Sequence, residues 1–224
     1  GGRSNTDKWY IADRLRGSKL LRPNLTSAES SLTTAFDSMT QFILPGITGD
    51  YSGQISYCFK RAPGFFDVVN YTGSNSSGST SYTHNLEVVP ELMIIKCRNA
   101  GGVWYVYSSV TGSSKYLSLS QNNAEGTLTW TTPTATQFTA FAGVNATHEN
   151  YLVFLFSTLD GVSKVGSYTG TGNNINVDCG FTGGARFVLI KRTDSTGDWY
   201  VYDTNRGITN SYDPYLMFNN SDAE

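Results

Sequence analysis

The sequence predicts an all-β protein made of tandem β-sandwich modules, jelly-roll-like in form and about 95 residues long. Three observations predict it. Short runs of β-branched and aromatic residues alternate with polar turn residues. Helical periodicity is nearly absent. A Trp-Tyr pair recurs at constant spacing, at Trp9-Tyr10, Trp104-Tyr105 and Trp199-Tyr200.

The repeat extends beyond that pair. Gly17, Gly112 and Gly207 each follow the Trp by eight residues. Ala28-Glu29, Ala124-Glu125 and Ala223-Glu224 come next, the last displaced by a longer loop from Asn210 to Asp213. Thr40-Gln41-Phe42 matches Thr136-Gln137-Phe138, and Tyr71-Thr72-Gly73 matches Tyr168-Thr169-Gly170. Leu92 to Lys96 matches Val188 to Lys191 in character and ending. Residues 64–158 therefore read as one complete module. Residues 1–63 read as the C-terminal half of another, and residues 159–224 as the N-terminal half of a third. The halves overlap across the Trp-Tyr to Ala-Glu stretch, so they are not one module cut in two. Half a sandwich leaves its core and edges in water. Completion is expected from a longer array or from strands of a neighbouring subunit.

Within the complete module, eight strands are predicted in order. Phe65 to Tyr71 is aromatic and β-branched, and Ser81 to Glu87 is a weaker run. Glu91 to Lys96 holds a continuous apolar run, the pattern of a strand buried on both faces. Trp104 to Tyr107 follows a Gly-Gly turn, and Tyr116 to Ser120 alternates leucine with serine. Thr127 to Thr131 carries Trp130, Gln137 to Phe141 carries two phenylalanines, and Tyr151 to Phe156 is the most apolar run. Thr26-x-x-Glu29 has capping-box form, and its counterparts are Asn122-x-x-Glu125 and Ser221-x-x-Glu224. Gly126 follows the second at once, which favours a single turn over a helix.

Alternation along the Trp104 strand puts Trp104 and Val106 on one face. The recurring Trp is read as a core anchor, with sugar stacking as the alternative. Tyr105 and Tyr107 then point the other way. With Tyr200, Tyr202 and Tyr212 they are the candidate surface contacts.

Composition limits the function. Charged residues are 15% and aromatics 13% of the chain, and the net charge is −2. That gives no electrostatic footprint for nucleic acid or an anionic membrane surface. No segment is long and apolar enough for membrane insertion as a helix. Arg14, Arg16, Lys19 and Arg22 form the most basic stretch, read as a solvated strand and loop rather than a phosphate site.

Cys58, Cys97 and Cys179 are odd in number and fit no zinc spacing. Buried thiols are expected for Cys58 and Cys97. The two histidines, His84 and His148, lie in polar, turn-like sequence and are assigned to surface loops. Nucleophile elbows, phosphate loops and paired acids at fixed spacing are missing, so no catalytic, cofactor-binding or metal residues are assigned and no enzyme is expected. Asp194 to Asp198 has calcium-loop character, but its counterpart, Asn99 to Val103, has no carboxylate, which favours a hairpin turn. Asn24, Asn70 and Asn145 each open an Asn-x-Thr triplet.

Three segments carry a resemblance. They are Trp9 to Gly17 with Leu20-Leu21 and Ala28-Glu29, Ala62 to Gly73, and His84-Asn85-Leu86 with Val89 to Lys96. In this order they resemble β-rich modules of virion proteins of tailed bacteriophages, especially tail-fibre-like proteins of marine and cyanobacterial phages. The resemblance covers residues 9–107 and weakens in the later copy. It implies a structural or adhesive protein at a virion or extracellular location, in contact with the host surface. Its expected partners are copies of itself or further modules of a longer chain, other virion proteins, and host surface glycan. A microbial surface adhesin or filament subunit and a carbohydrate-binding module of a depolymerase are the alternatives.

Overall fold

A computed structural model describes residues 9–31, 55–208 and 213–222. The chain is all-β, with several antiparallel sheets. Its strands are β1 (Lys19–Leu20), β2 (Ser30–Ser31), β3 (Phe66–Thr72), β4 (Thr80–Thr83), β5 (Leu92–Cys97), β6 (Tyr105–Ser108) and β7 (Lys115–Ser118). β8 (Gly126–Thr127), β9 (Gln137–Ala140), β10 (Asn150–Phe156), β11 (Phe187–Lys191), β12 (Trp199–Asp203) and β13 (Leu216–Met217) follow.

Six of them form the main sheet, in the order β3-β10-β5-β6-β7-β8. β4 and β9 form a separate ribbon, β11-β12-β13 a three-stranded sheet, and β1-β2 a short pair. Each of the eight expected strands is present, with altered ends. The run from Thr127 keeps only Gly126–Thr127 in a ladder. Beyond it Trp130 turns inward, and its Nε1–H donates to the Lys115 carbonyl at 2.7 Å. The strand expected to reach Glu87 stops at Thr83, because His84 and Leu86 are drawn into the interior. Thr26 to Glu29 forms no helix.

Both faces of the main sheet are covered. One face carries Met93, Ile95, Tyr107 and Val153 under the β4-β9 ribbon, where Phe138, Ala140 and Trp130 close a core. The other carries Ile94, Trp104, Val106, Leu117 and Leu152. Leu21 from the first Trp-Tyr stretch and Trp199 from the third cover that second face. Burial on both sides is why β5 and β10 read as unbroken apolar runs.

This arrangement corrects two expectations. Tyr107 is 4% exposed and Tyr105 is half-buried, so neither is an open contact surface. Alternation separates the two faces of β6 correctly, but the tyrosine face is the interior of its own repeat. Cys58, expected to be buried, is exposed, while Cys97 and Cys179 are half-buried; all three are free thiols.

Candidate functional site

The tryptophans that recur at constant spacing meet other repeats at the joints between them. Each Trp indole N–H is seated on a backbone carbonyl of another repeat. Trp104 donates to Leu25 at 3.1 Å, Trp199 to Ser118 at 2.8 Å, and Trp9 to Met217 at 2.9 Å. The order is closed: third on complete, complete on first, first on third. Ser118 and Met217 are counterparts, since they pair with Tyr105 and Tyr200.

The neighbouring backbone contacts repeat as well. Gly102 N–H donates to the Thr26 carbonyl and Gly197 N–H to the Asn122 carbonyl, both at 2.8 Å. Glu29 N–H meets the Arg98 carbonyl at 2.6 Å, and Glu125 N–H meets that of Thr193 at 2.8 Å. Thr26 to Glu29 and Asn122 to Glu125, which resembled capping boxes, are therefore docking strips; Ser221-x-x-Glu224 ends outside the described residues. The two strips form no helix, and their backbone groups are used between repeats.

A lysine completes each of these two strips. Lys96 Nζ donates to the carbonyls of Thr26 and Ala100, at 3.2 and 3.4 Å. Lys191 Nζ donates to Asn122, Arg192 and Gly197 carbonyls, at 3.3, 2.8 and 2.7 Å. Lys96 is fully buried, and burial lowers the pKa of both ammonium groups. Each ammonium is held by carbonyl dipoles at the joint.

The turn after each Trp strand also recurs. Gly17, Gly112 and Gly207 hold φ values of 61°, 83° and 98°, which a side chain would oppose. In the first and third turns, Asp13 and Asp203 accept from the backbone N–H and Nε of Arg16 and Arg206. Nη2 of each arginine then caps a carbonyl, Ile11 or Val201. Arg16, read from sequence as solvated, is therefore a buried turn lock. The complete repeat uses Ser108 and Thr111 instead. Burial raises the pKa of the Asp203 carboxyl, but bonds from Tyr57 and Arg206 outweigh it and leave the pKa lowered. Burial and the bond to Asp203 push the Tyr57 phenol pKa upward.

A second cluster stiffens the exposed loops at one end of the main sheet. Asn145 is fully buried. Its Nδ2 donates to the Asn75 and Gly78 carbonyls and to Thr80 Oγ1, at 3.0 to 3.2 Å. Its Oδ1 accepts from Ser74 N–H and the Tyr82 hydroxyl. One side chain thus fixes two loops that present Ser74, Asn75, Ser76, Ser77 and Thr147 to solvent. Asn145 opens a glycosylation triplet, but both ends of its amide are occupied. The side-chain oxygens of Asn24 and Asn70 are buried too. Nothing in the triplet pattern marks Asn145 as a clamp, so sequence reasoning missed that role.

His84, assigned from sequence to a surface loop, is 5% exposed. Its Nδ1 accepts from Leu86 N–H at 3.2 Å, which makes Nε2 the protonated nitrogen facing the Thr134 carbonyl at 3.1 Å. With both nitrogens committed, the ring is a structural lock and is not free to act as a base. Nearby Asp67 is buried, pairs with Arg61 and accepts from Asn85 N–H. Asp194 pairs with Arg192 on the surface. Among the described residues, no three His, Cys, Asp or Glu side chains are grouped to hold a metal ion.

Of the remaining candidate contacts, Tyr200 and Tyr202 are half-buried and Tyr212 lies outside the described residues. Tyr215 packs on both, with ring centroids 5.2 and 6.0 Å away.

Fold and joints together define an all-β protein whose recurring residues serve contact between its own repeats. Residues 48–224 match the family described as "Domain of unknown function (DUF7483)". Since the match spans well over half of the chain, the protein belongs to that family. No curated protein and no solved structure matches the chain.

Proposed function

We propose that this chain is a structural and adhesive virion protein of a tailed bacteriophage, part of a tail fibre or another surface appendage. It acts as a tandem array of jelly-roll-like sandwich modules and without enzymatic chemistry. The observation that carries the reading is the closed set of Trp seats, because the most regular chemistry in the chain is spent on rigid self-contact. The resemblance of residues 9–107 to phage virion modules supports the location.

Host contact falls to the loops around Ser74 to Ser77 and Thr147. They are polar, exposed and held in one conformation by Asn145. A preorganised loop pair loses little conformational freedom on meeting a hydroxyl-rich glycan. This relocates the contact from the tyrosine strands to the loop tips.

Immunogold labelling of purified virions tests the assignment. Gold at the tail or on fibres is the expected result, and unlabelled particles that lack the protein by mass spectrometry would overturn it.

A further inference from the structure

Two turns of the chain are built alike, and they fix a correspondence that the Trp spacing does not reach. Ala62 bridges Phe66, and 97 residues further on Leu159 bridges Ser163. Gly64 and Gly161 lie two residues after the first member of each bridge, at φ 72° and 69°. Carried back from this turn, Phe59 stands for Phe156, Tyr57 for Phe154 and Ile55 for Leu152. In β10 those three positions line the face that carries the joints. Ile55 and Tyr57 are half-buried while Ser56 and Cys58 are exposed, the alternation of a strand docked by one face.

That face is docked on the third repeat. β10 runs beside β5, with Phe156 opposite Leu92 and Phe154 opposite Ile94. Phe187 and Leu189 are the counterparts of Leu92 and Ile94, since Phe187 pairs with Asp203 as Leu92 pairs with Ser108. The Phe59 ring lies 5.8 Å from that of Phe187, and the Tyr57 ring 4.8 Å. Ile55 and Tyr57 pack with Phe187, Leu189, Val201 and Leu216 in one cluster. The Tyr57 hydroxyl donates to Asp203 at 2.6 Å, and Arg206 Nη2 donates to it at 3.4 Å. Residues 55–60 join no ladder among the described residues, so their side chains hold them in place.

We propose that residues 55–60, from the first repeat, take the place of β10 in the third repeat, and that the Tyr57 hydroxyl directs them there. The chemistry of the two turns argues for the direction. Where the turn is the Asp203–Arg206 lock, the strand beside it brings a hydroxyl. Where the turn uses Ser108 and Thr111, the matching residue is Phe154, which brings none. A phenylalanine at position 57 leaves Asp203 short of a donor, and a tyrosine at position 154 brings a hydroxyl to a turn without an aspartate. Each mismatch carries a cost, so each strand is specific for its own repeat. The chain thereby closes first repeat onto third, in the same sense as the Trp9 seat on Met217.

The inference rests on the repeat-built reading of the chain but not on its virion location, so unlabelled virions would leave it standing. Disulfide trapping in the whole chain tests the placement. Leu155 stands opposite Met93, so Cys58 should stand opposite position 188. With Cys97 and Cys179 changed to Ser, Val188→Cys should link to Cys58 within one chain in oxidised glutathione. Leu189→Cys, on the other face, should not. Failure to link at position 188, linkage at 189 in its stead, or linkage between chains rather than within one would overturn the placement. Tyr57→Phe tests the selection. Hydrogen exchange at residues 199–206 should accelerate on the order of tenfold, as expected for a lost bond to a charged group. The same change should add almost nothing to a variant already carrying Asp203→Ser and Arg206→Thr. Equal acceleration in both backgrounds would make Tyr57 a packing residue only and overturn its directing role.

Discussion

The two faces of β6 differ in what they serve. Tyr105 and Tyr107 pack inside their own repeat, on Trp130, Phe141 and Tyr116. Trp104 and Val106 pack between repeats, with Leu21 and Trp199. The same alternating tetrapeptide thus builds one core and one joint. The recurring Trp marks the joint, where every copy must meet its neighbours.

The largest effect expected from breaking this pair is at the joint. Trp104→Ala removes a fully buried indole and its bond to Leu25, at a cost of about 3–5 kcal/mol in chemical denaturation. Hydrogen exchange should accelerate at residues 25–29, where the docking strip lies. Phe138→Ala, on the other face, falls in the same range but should loosen β4 and leave residues 25–29 protected. Equal acceleration at both places in both variants would show that the two faces are one cooperative core.

The turns after the Trp strands offer a finer comparison. Asp203→Asn leaves Arg206 buried without its carboxylate and should cost about 3 kcal/mol. The double change Asp203→Ser with Arg206→Thr installs the uncharged solution of the complete repeat and should cost clearly less. Thermal unfolding of the two variants decides it. A double variant as unstable as Asp203→Asn would mean that the ion pair stabilises the third repeat beyond holding its turn.

Asn145→Ala should have a smaller effect, on the order of 1–3 kcal/mol, since the loops around it keep some backbone bonds. Its diagnostic result is local. Exchange should rise at residues 74–78 and 146–149, with the main sheet unchanged.

Much of this was legible in the sequence, for reasons specific to each element. Period-two alternation separated Trp104 from Tyr105, and the apolar runs at β5 and β10 announced strands buried twice over. Alternation is blind to what lies beyond each face, so it misassigned Tyr107. Hydrogen-bond clamps were less legible still. Asn145 joins loops 70 residues apart in sequence, and His84 reaches Thr134. Their polar surroundings in the sequence suggested open loops, because the partners that bury them are remote.

The smallest expected effect concerns His84 and separates the ribbon from the joints by pH. Burial lowers its pKa below the usual 6.5, against opposing effects of the Thr134 carbonyl and the Asp67 charge. A base with a lowered folded pKa takes up its proton more readily when unfolded. Stability should therefore fall as pH drops below about 6.5 and level off once the folded pKa is passed. Protonation removes the acceptor for Leu86 N–H, so the opening should begin at residues 84–86 and spread to β4 and β9. The joints have no histidine, and their Asp203 lock has a lowered carboxyl pKa, so it should hold until pH falls below about 3.8. His84→Gln should abolish the dependence between pH 6.5 and the carboxylate range while leaving the lower transition in place. If unfolding midpoints for the wild type and His84→Gln run parallel from pH 7 to 5, the ribbon is not held by the neutral imidazole.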